Sequence, residues 1–323
     1  LLLLLALITV QAVTAQRQQL NMDAGWKFAF GHAGDPSRDF NFGISTIFSK
    51  SGAAPNTAID PKFDDKKWRS LDLPHDWAVE LPFVYKDNFD VQSHGYKPVG
   101  GLFPETSIGW YRKHFTVAAA DSGQRFQLQF DGVFRDVEFW LNGFYLGNNK
   151  SGYVGVSYDV TDYISYNKAN VLVVRVNASQ YEGWFYEGAG IYRHVWLNKY
   201  ANAHIASDGV FALSEQKGNM TSITVETTLE NQGLSAAPLS VISYITDRSG
   251  KKLAISKEDA LQLPVNGRRA VKQYLLVKEA RKWSLDDPYL YRIVSVVKQN
   301  GKVIDSVKQR LGIRTIEIKP NGL

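Results

Sequence analysis

Residues 222–230 read SITVETTLE, running from Ser222 to Glu230. Apolar and polar residues alternate with a period of two, and β-branched side chains dominate. In an extended chain that period sends alternate side chains to opposite faces, so the run predicts a strand with one buried face. The same texture returns in Leu239–Thr246 (LSVISYIT), Ala270–Val277 (AVKQYLLV) and Tyr289–Lys298 (YLYRIVSVVK). Asn231-Gln232-Gly233, Ser249-Gly250, Asn266-Gly267 and Asn300-Gly301 punctuate these runs as turns. About seven strands in about 110 residues is the size of an immunoglobulin-like sandwich. The chain has no cysteine, so such a sandwich would be a disulfide-free one.

Upstream of Tyr200 the texture is different: still β, but much richer in rings. Trp110–Val117, Arg125–Phe130, Asp136–Leu141 and Val171–Val176 read as short strands, with Asn142-Gly143 and Gly147-Asn148-Asn149 as turns. Gly25–Phe30 reads as an edge strand, and Arg69–Leu73 as a strand stopped by Pro74-His75-Asp76-Trp77. Residues 31–62 and 80–108 are long irregular segments, which a compact domain keeps for function or flexibility. No segment sustains a helical period. The expected fold class is all-β, a jelly-roll β-sandwich over residues 16–201 followed by an immunoglobulin-like β-sandwich over residues 202–316.

Bulk composition narrows the function. The 323 residues are 44% hydrophobic and 21% charged, an ordinary globular balance. The net charge is +5, but the basic residues are scattered and Lys66-Lys67 and Arg268-Arg269 are short pairs. That pattern predicts no nucleic-acid partner. The absence of cysteine excludes disulfides, thiolate metal sites and thiol catalysis. The apolar run Leu1–Val10, LLLLLALITV, is too short to span a bilayer and suits the core of a secretory signal peptide. Val13-Thr14-Ala15 has the small-residue spacing of a cleavage site, which predicts a signal peptide over residues 1–15, a mature start near Gln16 and a periplasmic or extracellular location. No membrane span is expected. The basic leader and initiator Met that normally precede such a run are missing, so the sequence is expected to continue upstream.

The chemistry-bearing residues form no local catalytic signature. There is no Gly-x-Ser-x-Gly, and histidines 32, 75, 94, 114, 194 and 204 lack metal-ligand spacing, so no metal or cofactor is expected. Three Asn-x-Ser/Thr sites, at Asn149, Asn177 and Asn219, are assigned no function. The richest stretch is Glu182–Leu197, EGWFYEGAGIYRHVWL, with five rings and two acids around Gly188-Ala189-Gly190. Sugars are held by rings stacked on their C–H faces and by polar groups on their hydroxyls. Glu182–Arg193 offers those parts, as do Pro74-His75-Asp76-Trp77 and Ser93-His94-Gly95-Tyr96-Lys97. The plainer reading makes Trp184, Tyr192 and Trp196 a packed sheet face and Asp76 a turn cap. Glu182 and Glu187 are an odd number of residues apart, so on a strand they face opposite ways and make no catalytic pair unless the glycine turn folds them back.

Leu73-Pro74-His75-Asp76-Trp77, Gly109-Trp110-Tyr111-Arg112-Lys113, Phe130-Asp131-Gly132-Val133, Trp140-Leu141-Asn142-Gly143 and Gly188-Ala189-Gly190-Ile191-Tyr192-Arg193 stand in order. Together they resemble the N-terminal part of glycoside hydrolase family 2, over nearly the whole mature chain. The Glu182–Gly188 variant is most similar to β-galactosidase-type members. The resemblance implies a jelly-roll sugar-binding domain, an immunoglobulin-like sandwich, and then a (β/α)8 barrel that holds both catalytic glutamates. Residues 317–323 resemble the lead-in to that barrel, so the chain is expected to continue and to contain no catalytic residue itself. In the family a loop before the Gly-Ile-Tyr-Arg segment reaches the barrel's active site with an aspartate on the sugar. Here that place holds Trp184–Glu187 without an aspartate. The substrate-binding candidates are Glu187, Trp184, Glu182, Asp76 and His94.

Three readings follow. The first is the accessory part of a secreted retaining β-glycosidase, with β-galactosidase the first choice. It acts on carbohydrate, has its own C-terminal barrel as partner, and has a homodimer as an option. The second is a free-standing carbohydrate-binding β-sandwich module without hydrolase activity. The third is a structural spacer or adhesin.

Overall fold

The computed structural model describes residues 17–43, 46, 54–82, 100, 103–180 and 187–316. The predicted signal peptide, the residue 317–323 lead-in, and His94, Glu182 and Trp184 lie outside them. The chain is all-β, a jelly-roll sandwich followed by an immunoglobulin-like one. Gln19–Lys199 forms one compact unit, and Tyr200 onward forms another together with Arg17 and Gln18.

The first unit is built on ten strands, β1 (Gln18–Asn21), β2 (Trp26–Phe30), β3 (Arg69–Leu71), β4 (Ile108–Thr116), β5 (Arg125–Phe130), β6 (Val137–Leu141), β7 (Phe144–Asn149), β8 (Val156–Asp159), β9 (Ala169–Asn177) and β10 (Val195–Tyr200). One sheet runs β3-β2-β4-β9-β6-β7 and the other β1-β10-β5-β8. The pairings of the six-stranded sheet are antiparallel. Phe28, Tyr111, Phe139, Leu172 and Val174 from that sheet pack with Phe126, Leu128, Phe130, Val195 and Leu197 from the other, making the core between the layers.

The six-stranded sheet is buried on its second face too. On β9, Leu172 and Val174 enter the core while Val171 and Val173 join Ala54, Ala58, Ile59, Trp68, Trp110 and Trp140 on the far side. That two-sided burial explains why β9 is a nearly unbroken apolar run. The far side is covered by described residues of the irregular segment that the sequence left to function or flexibility. Arg112 on β4 is fully buried under this cover, donating to Asp65 at 2.8 Å and to the carbonyl of Ala58. His114 meets the same carboxylate at 2.7 Å. Burial raises the Asp65 pKa, but the bonds from His114 and Arg112 outweigh it and hold the carboxyl below its usual value.

Two local expectations are corrected. β2 is not an edge strand, because the three-residue β3 lies outside it; so short a neighbour carries no period. Gly147-Asn148-Asn149 is not a turn but the end of β7. Gly147 is glycine because a Cβ there would stand 2.6 Å from the Tyr158 ring. Asn142-Gly143 is the turn expected, with φ of 53° and 85°, and Asn142 is tied to Asn170 at 2.8 Å and to the amide of Val171 at 2.9 Å.

The second unit contains eight strands, β11 (Ala203–Lys217), β12 (Met220–Asn231), β13 (Ala237–Thr246), β14 (Lys252–Ile255), β15 (Asp259–Leu263), β16 (Arg268–Lys278), β17 (Tyr291–Gln299) and β18 (Lys302–Leu311). They form the sheets β11-β12-β16 and β14-β13-β17-β18, with β15 paired to β13. The SITVETTLE run lies in β12, and its Ile223, Val225 and Leu229 enter the core with Val241, Ile245, Ile293 and Val297. Thr227 also faces inward; its hydroxyl donates to Ser295 at 2.9 Å, and Ser295 meets Ser243 at 2.9 Å. A buried hydroxyl is tolerated when it is bonded in this way.

Candidate functional site

The segment after β3 is short and strongly constrained. Trp77–Glu80 is one turn of 3-10 helix, and the Asp76 carboxylate caps it by accepting from the Ala78 amide at 3.0 Å. The same oxygen accepts from the Ala189 amide at 2.8 Å. His75 N–H donates to the Ile191 carbonyl at 2.8 Å, and Trp77 N–H to the Ala189 carbonyl at 2.9 Å. Residues 75–77 therefore lie alongside residues 189–191 as a short ladder. On its other side, Gly190 exchanges bonds of 2.7 and 2.9 Å with Phe134.

Beneath this ladder sits a ring cluster. Trp77 is fully buried against Phe28 and Tyr111, at centroid distances of 5.6 and 6.3 Å, and its Nε1 donates to the Thr106 carbonyl at 2.8 Å. Gly109 is required beside it, since a Cβ there would stand 2.4 Å from the indole. His75 is buried, with Nδ1 2.7 Å from the Tyr111 hydroxyl and Nε2 3.2 Å from a Glu80 oxygen. Glu80 is in turn paired with Arg69, one oxygen at 2.7 Å. Burial pulls the His75 pKa down, more strongly than Glu80 pulls it up. The Arg69 bond holds the Glu80 carboxyl below its usual value. Burial pushes the Tyr111 phenol well above its usual range.

Four of the five sequence motifs thus meet around the Gly188–Ile191 segment. Asp131 and Gly132 join through Tyr192, Arg193 and Trp196: Gly132 leaves no room for a Cβ beside Tyr192, and Trp196 Nε1 donates to Asp131 at 2.9 Å. Tyr192 ties its hydroxyl to the Gly152 carbonyl at 2.7 Å. Trp140-Leu141-Asn142-Gly143 touches this group from the other face of the sheet, with Trp140 stacked 6.0 Å from Trp110 under the outer cover. Of the sequence candidates, Asp76 and Glu187 are described. The Asp76 carboxylate reaches the amide two residues past Glu187, so the structure brings the two segments together. Asp76 does so as a cap and a brace, the plainer of its two expected roles. Tyr192 and Trp196 are half-buried, each with its polar end satisfied. Sequence reading did not find the His75–Tyr111 contact, whose partners are 36 residues apart.

The family profile of glycosyl hydrolases family 2, sugar binding domain, matches residues 48–201. That of glycosyl hydrolases family 2 matches residues 203–314. A β-galactosidase of Bacteroides ovatus is 33% identical over 95% of the chain, and a β-glucuronidase of Formosa agariphila is 27% identical over 88%. The crystal structure of a glycosyl hydrolase family 2 member from Bacteroides cellulosilyticus superposes with a TM-score of 0.79 at 28% identity, covering 93% of this chain and 36% of that one. The chain spans about a third of the length of the curated relatives it matches, 33% and 30% for the two enzymes named.

Proposed function

We propose, from the premise that this chain belongs to glycosyl hydrolases family 2, that it is the non-catalytic front part of a longer, secreted, retaining β-glycosidase acting on β-galactosides. The observation that carries this reading is the 33% identity to a β-galactosidase across 95% of the chain, through both sandwiches in order. β-Glucuronides are the second reading, favoured by the β-glucuronidase relative. A free-standing sugar-binding module is the remaining alternative.

On this reading the acid/base and nucleophile sit about 5–5.5 Å apart in a barrel outside these residues, as retention of configuration requires. This chain's part is to bind and orient. Glu187, at the start of the braced Gly188–Ile191 segment, accepts hydrogen bonds from sugar hydroxyls. Trp184 offers its ring to the sugar's C–H face, and Glu182 and His94 complete the rim. Asp76 acts by holding Ala189. The reading of secretion, to the periplasm or outside the cell, is supported by the Leu1–Val10 run and the Val13-Thr14-Ala15 site.

The test is a panel of aryl β-galactoside, β-glucuronide and β-mannoside assayed with the full-length polypeptide. Galactoside turnover is expected to lead. Glu187→Ala should raise KM about tenfold, the worth of a hydrogen bond to a charged group, with kcat changed only a few-fold. Unchanged KM would remove Glu187 from the rim.

A further inference from the structure

Neutral His75 can satisfy its surroundings in only one tautomer. Glu80 is ionised and accepts only, so Nε2 must carry the proton and donate to it. Nδ1 is then an acceptor, and the Tyr111 hydroxyl donates to it at 2.7 Å. The Tyr111 oxygen in turn lies so close to Gly190 that a Cβ there would stand 2.4 Å away. A single directed chain thus runs from the exposed Arg69–Glu80 ion pair through two buried side chains, and its last oxygen packs against the backbone that follows Glu187. Among the described residues the titratable and charged groups facing His75 are Tyr111, Glu80, Arg69 and Asp76, and they suffice to orient it.

We propose that His75 and Tyr111 are positioning residues for the sugar site: the chain Arg69–Glu80–His75–Tyr111 fixes the Gly190–Ile191 backbone and thereby sets where Glu187 meets the substrate. The proposal rests on the reading that Glu187 rims the sugar, and deepens it. The ladder at residues 75–77 holds the segment by its backbone. The relay adds a side-chain constraint with a defined direction, which a purely apolar pair could not supply. Tyr111→Phe removes one oxygen, keeps the ring in place, leaves the His75 Nδ1 without its donor and takes away the atom packed against Gly190.

The experiment uses the full-length protein with Tyr111→Phe and His75→Asn, the latter keeping an acceptor near the position of Nδ1. Two quantities are read: steady-state KM and kcat on the aryl galactoside, and hydrogen exchange of the Ala189, Gly190 and Ile191 amides. Tyr111→Phe is expected to raise KM about tenfold with kcat nearly kept, and to speed exchange at those amides about tenfold. His75→Asn should fall between it and the parent. A merely structural residue would lower the folded fraction, and so apparent kcat, without moving KM. Parent-like KM in Tyr111→Phe overturns the proposal, and so does parent-like exchange. If the unaltered protein turns over no glycoside, the proposed function fails by itself, while the exchange measurement still decides whether the relay holds the segment.

Discussion

Gly190→Ala is expected to destabilise the first sandwich by about 3 kcal/mol or more. Gly190 has a φ of +125°, a region closed to side chains. The added methyl would stand 2.4 Å from the Tyr111 hydroxyl, 2.6 Å from the His75 carbonyl and 3.1 Å from the Trp77 ring. Two of these neighbours are buried rings and the third is backbone, so none can swing aside. Relief would require breaking the paired bonds to Phe134. In calorimetry the melting temperature should fall by roughly 6–12 °C. Gly218→Ala is the control: its φ is +60° but nothing lies within 4 Å, so only the backbone term of about 1 kcal/mol remains. A Gly190→Ala loss no larger than that of Gly218→Ala would show that the ladder is not tightly packed.

Asp39→Ala should cost about 3–5 kcal/mol, the range for removing one partner of a buried ion pair. Asp39 is buried, and its carboxylate accepts from Trp110 Nε1 at 2.6 Å and from Arg175 at 2.7 and 3.1 Å. Its removal strands the Arg175 guanidinium beneath Phe42, with Glu138 3.8 Å away as the nearest remaining carboxylate among the described residues. Burial raises the Glu138 pKa and Arg175 lowers it, so Glu138 is a partial replacement at best. Asp39→Asn keeps an acceptor but not the charge, and should lose less. Urea unfolding of the three proteins gives the order parent, Asp39→Asn, Asp39→Ala. Equal midpoints would mean that the outer cover contributes nothing to the fold.

The parts of the fold that were legible are those with a period. SITVETTLE announced its strand and its inward face because Ile223, Val225, Thr227 and Leu229 fall two apart. The Asn142-Gly143 turn was legible because its positive φ values favour those residues. The outer cover was not legible. Asp39, Ala58, Ile59, Asp65 and Trp68 hold it at irregular intervals, and each partner sits on a distant strand. β11 escaped notice although it spans Ala203–Lys217, since a bulge between Ile205 and Val210 breaks its alternation.

The site divides in the same way. The ordered motifs announced a family, and four of them meet in space around Gly188–Ile191. Their spacing did not say that Asp76 grips Ala189 across 113 positions, or that His75 meets Tyr111. Such pairs depend on how β4 and the residue 74–80 turn are stacked, and no local pattern encodes that. Asp76 and His75 attract attention in the sequence as polar residues among rings. Only the fold shows that Asp76 is a brace.

The central claim is that this chain binds and orients for chemistry performed elsewhere in a longer β-glycosidase. Its most direct test is aryl β-galactoside hydrolysis by the full-length polypeptide and by residues 16–323 alone, each first shown to be folded by calorimetry. The account predicts turnover by the full-length protein and none by residues 16–323. Hydrolysis by residues 16–323 alone, or no glycoside hydrolysis by the folded full-length protein, would contradict it.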